Sequence, residues 1–174
     1  MSRSLRLFVD LCLFRAKPQD LPGSQTLVLI TAVLAMLTYA LTDQVHDQIG
    51  TIVTVATVQV IVFGVVIWIA LKIRRMPERW NQTISALYGT GSLLQLVGWP
   101  VSSWFEQVRS TPEQATMPVL LVFALGVWFL AIMANVIRHA MEVSIGKGLV
   151  ISFVCQAVTV VTLIILFGPI GKAT

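Results

Sequence analysis

Residues 82–105, QTISALYGTGSLLQLVGWPVSSWF, decide the architecture of this chain. They read either as a membrane-spanning helix or as a re-entrant hairpin. Asn81, Gln82, Ser85, Tyr88, Gly89, Thr90, Gly91, Ser92 and Gln95 make this the most polar of five long stretches, and Trp99-Pro100 predicts a kink. Trp80 and Trp104 bracket it, 24 residues apart, or about 36 Å of helix. Tryptophan favours the two membrane interfaces, and this separation suits one at each. The stretch is therefore taken as a span.

The other four stretches, residues 25–42, 50–71, 117–137 and 149–169, are apolar almost throughout. Each supplies the roughly 20 residues that cross about 30 Å of hydrocarbon. Threonine and β-branched residues are frequent in 50–71 and 149–169, a bias toward strands in water. In lipid the backbone must satisfy its own hydrogen bonds, so helix is expected instead. The predicted fold class is an all-α membrane protein. A bundle of five transmembrane helices occupies 25–174, preceded by an amphipathic segment over 1–24.

Composition leads to the same place. Of 174 residues 56% are hydrophobic and only 11% charged, and the mean hydropathy is +0.85. Soluble domains carry about 25% charged residues, and a chain this short has a large surface for its volume. That surface must face lipid. The net charge of +4 does not indicate nucleic acid, because the basic residues fall in short groups between apolar runs. Cys12 and Cys155 lie far apart in apolar surroundings and read as small buried hydrophobes. No cleavable signal peptide is expected, since Asp10 interrupts the apolar patch after Arg3 and Arg6.

Residues 3–16 place Arg3, Arg6 and Asp10 on one side of a helix, with Phe8, Leu11 and Cys12 turned away. The pattern predicts a short helix lying in the membrane interface. Pro18, Pro22 and Gly23 stop it before the first span. With five spans and a cytoplasmic N-terminus, Lys and Arg divide ten inside to two outside, Arg109 and Lys172 being the exceptions. A re-entrant third stretch gives the same split, so the bracketing tryptophans decide between the two. Both arrangements share a cytoplasmic N-terminus, and five spans put the C-terminus in the periplasm.

Three groups of residues are candidates for function. Asn81, Ser85, Tyr88, Gly89, Ser92 and Gln95, with Trp99, recur along one side of the third stretch. Such a stripe either packs against other helices or lines a permeation path. Asn135, Arg138, His139 and Glu142 end the fourth stretch. They read as an interfacial helix end with Arg138 reaching to headgroups, or as a metal or proton site, for which no second group of ligands is found. Lys72, Arg74, Arg75 and Arg79 crowd the second loop and either fix topology or contact anionic lipid or an acidic partner. His46 is expected at the opposite side.

Gly89-Thr90-Gly91 and Ile145-Gly146-Lys147-Gly148 lack the spacing of nucleotide-binding loops. No span carries Asp, Glu, Lys or Arg away from its ends, which argues against proton-coupled transport and catalysis.

The stretch from Gln82 to Thr90, Trp128, and Arg138-His139-Ala140 through Lys147 resemble the Yip family of small membrane proteins. The opening Phe14 to Pro22 is similar to that of small proteobacterial membrane proteins. The resemblance implies a five-span architecture and a scaffold-like role. Yip proteins of eukaryotes engage Rab-type GTPases through a long N-terminal segment; here about 24 residues precede the first span, so GTPase binding is not implied. The expectation is a non-enzymatic bacterial inner-membrane protein, without cofactor or metal. Its partners would be the bilayer, including anionic lipid, and another membrane protein or a second copy. The alternative is a small channel or carrier along the polar stripe.

Overall fold

The computed structural model describes residues 3–43 and 48–168, and among these every regular element is helical. The helices are α1 (Arg3–Cys12), α2 (Gln25–Thr42), α3 (Ile49–Ile73), α4 (Trp80–Val108), α5 (Pro112–Met141) and α6 (Ile145–Phe167), with 3-10 turns at Pro18–Asp20 and Pro77–Arg79. His46, Lys172 and residue 169 lie outside the described residues.

Four helices, α2, α3, α5 and α6, are long and apolar enough to cross a membrane. Their outer faces stay apolar, leaving Leu29, Ile61, Phe123, Val150 and Ile165 exposed. Surface of that extent suits hydrocarbon rather than water. These features mark an integral membrane protein. The threonines that would favour strands in water fit into helices by bonding back along the chain. Thr54, Thr57, Thr159 and Thr162 each donate to the carbonyl four residues earlier, which satisfies the hydroxyl without water.

The deciding stretch forms α4, a helix of 29 residues, about 43 Å long. It continues through Pro100 without the reversal a hairpin requires. It is not among the four apolar helices, because glutamine, serine and threonine recur along it. Helix adjacency runs α2–α4–α5–α6–α3 and back to α2, while α1 packs on α4 and α5.

One expectation needs correction. The periodicity turns one side of this helix, the polar stripe, toward other helices, whereas all ten residues from Thr83 to Ser92 are buried, those outside the stripe included. This half of α4 is enclosed on every side. α2 and α5 flank it, α3 receives the Tyr88 hydroxyl at the Val60 carbonyl, and α1 lays the Phe8 ring on Gly89. Beyond Ser92 the helix emerges, and Trp99 is exposed rather than part of the packed stripe. The same contacts correct the placement of α1. Phe8, Leu11 and Cys12 are buried against protein, not merely turned away from the charged side.

Two backbones approach closely where α5 meets α6. A Cβ on Gly148 would stand 2.7 Å from the Ala134 carbonyl oxygen and 3.2 Å from the Arg138 Cβ. Backbone cannot yield as a side-chain tip can. Gly148→Ala should therefore cost about 1–3 kcal/mol by overpacking, visible as a lower unfolding temperature in detergent. Gly126, in α5, has open space where its Cβ would be. Gly126→Ala should be neutral or stabilising by up to about 1 kcal/mol. Equal behaviour of the two variants would refute the close contact.

Candidate functional site

Most of the basic residues gather at one end of the bundle, where α1, α3 and α5 finish. Each of these helices ends with a non-glycine residue in the left-handed region: Phe14 (φ 60°), Arg75 (φ 60°) and Glu142 (φ 53°). In each case the next N–H bonds back five residues, from Arg15 to Asp10, Met76 to Leu71 and Val143 to Arg138. This is a Schellman terminus, normally built on glycine. A side chain there costs roughly 1–2 kcal/mol, so the surrounding contacts must hold the turns.

Those contacts converge on the last carbonyls of α5. Arg79 Nη1 donates to the carbonyls of His139 (3.4 Å) and Ala140 (3.2 Å), while its Nη2 pairs with Glu142. Arg74 Nη2 donates to the Met141 carbonyl at 3.4 Å. From the N-terminal segment, Gln19 Nε2 reaches the His139 carbonyl at 2.7 Å. A helix C-terminus exposes unbonded carbonyls and a partial negative charge, and two guanidinium groups and an amide answer both.

Lys72 Nζ sits 4.6 Å from the centroid of the Trp68 ring, a cation–π contact. Of the second loop's four cations, Arg74 and Arg79 thus bond to the end of α5 and Lys72 rests on Trp68. Only Arg75 has no side-chain partner among the described residues.

The Asn135, His139 and Glu142 group is likewise rearranged. Glu142 lies past the final turn and pairs with Arg79, so it does not share a face with His139. His139 Nδ1 is 2.8 Å from the Asn135 carbonyl oxygen, which requires the proton on Nδ1. Among the described residues no three His, Cys, Asp or Glu side chains come together as metal ligands. Arg138 is exposed and makes none of these bonds.

Along α4 the stripe residues are mostly engaged in holding helices together. Asn81 donates to the Gly23 carbonyl (3.1 Å) and Gln95 to the Thr42 hydroxyl (2.6 Å). Ser92 bonds back to the Tyr88 carbonyl, and Gly89 makes room for Phe8. Ser85 differs: its buried hydroxyl has no partner among the described residues.

Sequence reading missed several anchors. Gln82 donates to the carbonyls of Gln19 and Leu21, the Trp128 indole to that of Cys12 at 3.1 Å, and Gln59 bonds to Tyr39. Gln59 had a signal, as the one amide inside α3. Burial pushes the Cys12 thiol up to about 11, so it stays protonated at neutral pH.

No family model matches the chain, and neither the curated proteins nor the solved structures contain a match to it.

Arg79→Ala removes bonds to three acceptors and should cost about 1–2 kcal/mol in detergent unfolding. Glu142→Gln removes only a half-exposed ion pair and should cost less than about 1 kcal/mol. A reversed order would show that the pair, not the helix end, matters. A Cβ at Gly89 would stand 2.4 Å from the Phe8 ring. Gly89→Leu should therefore lift α1 and make Cys12 reactive to a soluble maleimide; continued protection of Cys12 would contradict that packing.

Proposed function

We propose that this chain is a non-enzymatic inner-membrane protein that works by association, as an accessory subunit of a larger complex or as a membrane scaffold. The proposal includes five spans, a cytoplasmic N-terminus, a periplasmic C-terminus and a Yip-like architecture. The length and continuity of α4 support the fifth span. Arg15, Lys17, Arg74, Arg75, Arg79, Arg138 and Lys147 gather at one end while Arg109 follows α4 at the other, which favours a cytoplasmic basic end. Gly89, where Phe8 rests, is about 14 Å along α4 from Trp80.

The observation that carries the reading is the use made of the polar side chains. Those that would serve catalysis or a permeation path are committed to joining helices or closing the end of α5. What remains for contact is the broad lipid-facing surface. Apart from the Ser85 hydroxyl, the polar side chains of the α4 stripe bond within one chain, so association between chains would use the outer faces of the bundle.

The first test is mild extraction of the tagged chain from its native membrane, followed by mass spectrometry of co-purifying species. A stoichiometric protein partner, or a stable self-assembly, is expected. A lone monomer carrying a defined solute would overturn the reading in favour of the carrier.

The carrier can also be tested directly. In a background lacking Cys12 and Cys155, single cysteines at Ser85, Ser92 and Gln95 should resist a soluble maleimide, while one at the exposed Glu78 reacts. Labelling along the whole stripe would reveal a wet path and sink the scaffold proposal.

A further inference from the structure

Beside the closed end of α5 lies an open groove of about 730 Å³ between the N-terminal segment, α5 and α6. Its volume is in the range of small-ligand sites. Arg15, Lys17 and Arg138 line its mouth, and none of these three side chains has a bonding partner among the described residues. The acidic residues nearby are occupied elsewhere: Glu142 by Arg79, and Asp20 by the Lys17 backbone N–H. Among the described residues, three unpaired cations therefore stand together around one groove.

Below them the walls turn apolar. On α5, Ala134 and Ala131 also line the groove, four and seven residues before Arg138. At 1.5 Å per residue these are about 6 and 10 Å deeper. On α6, the exposed Leu149 lines the opposite wall, near the start of the helix. Two alanines and a leucine thus form the groove's deeper walls, with Asn135 and His139 lining it nearer Arg138. It is cationic at the membrane surface and hydrocarbon-like beneath. A soluble anion would use only the first feature, whereas a lipid uses both.

We infer that this groove holds one anionic phospholipid, its phosphate between Arg15, Lys17 and Arg138 and an acyl chain along Ala131, Ala134 and Leu149. The site rests on the basic end facing a leaflet surface, and it is independent of whether the protein also has a protein partner. A cation near an anionic headgroup contributes about 1 kcal/mol, close to fivefold in affinity. Removing two should weaken retention about 25-fold.

The test uses the purified full-length chain in neutral detergent. Native mass spectrometry would titrate dioleoyl phosphatidylglycerol against dioleoyl phosphatidylcholine. The phosphatidylglycerol adduct should predominate in the wild type and fall about 25-fold in Arg15→Gln/Arg138→Gln. It should also fall severalfold in Ala131→Phe, which fills the groove without touching charge. Arg75→Gln, an exposed cation at the same end that does not line the groove, should bind normally. Unfolding temperatures measured without added lipid confirm that each variant is folded.

Equal loss in Arg75→Gln would mean diffuse surface attraction and overturn the site. Equal retention of phosphatidylcholine would remove the role of charge and also overturn it. Comparable binding of glycerol 3-phosphate, insensitive to Ala131→Phe, would identify a soluble anion and overturn the lipid assignment. None of these outcomes bears on partner capture, so this inference and the association proposal fail separately.

Discussion

Where α5 ends, its carbonyls have no further helix to bond to, and low-dielectric surroundings make an unbonded carbonyl expensive. Arg79, Arg74 and Gln19 meet that requirement from two different connections. In doing so they fix the N-terminal segment, the α3–α4 loop and the end of α5 against one another. Gln82 then ties the base of α4 to the same N-terminal segment. The left-handed turns at Phe14, Arg75 and Glu142 are tolerated because this network determines where each chain must go.

A second constraint shapes the middle of the molecule. α4 is too polar to rank with its four neighbours, and hydrocarbon offers its amides and hydroxyls nothing. The bundle answers by surrounding it. From Thr83 to Ser92 no residue is exposed; Thr90 and Ser92 bond along their own helix and Tyr88 bonds across to α3. The apolar helices meet the lipid while the polar one organises their packing. Small residues make this possible, since Gly89 admits an aromatic ring and Gly148 a neighbouring backbone.

The apolar helices were legible because span length and hydropathy are local properties. α2 occupies the anticipated residues, α3 starts one residue earlier and ends two later, α5 starts five earlier and ends four later, and α6 starts four earlier and ends two short, at Phe167. α4 was legible as a long stretch bracketed by tryptophans, but its enclosure was not. Burial all round depends on α1 returning to cover it, and the Trp128–Cys12 bond that holds α1 joins residues 116 apart. The partners of the basic loop were hidden for a similar reason. Arg79 finds Glu142 across 63 residues, and no spacing rule distinguishes a cation used at a distant helix end from one left free. Arg15 and Lys17 are legible as topology signals or as part of a basic lipid contact, but not as neighbours of Arg138, beside which the fold leaves them without a partner among the described residues.

The position of α1 has a consequence for how the protein is made. Its ten residues precede everything they rest upon. The Gly89 surface follows by about 80 residues and Trp128 by 116. At typical synthesis rates that interval is on the order of ten seconds. Throughout it, a helix with one apolar face has only the membrane surface to shelter it. Amphipathy thus serves the segment twice, first as a temporary hold on lipid and then as the seal on the finished bundle. Docking of α1 therefore waits until α4 and α5 have been made.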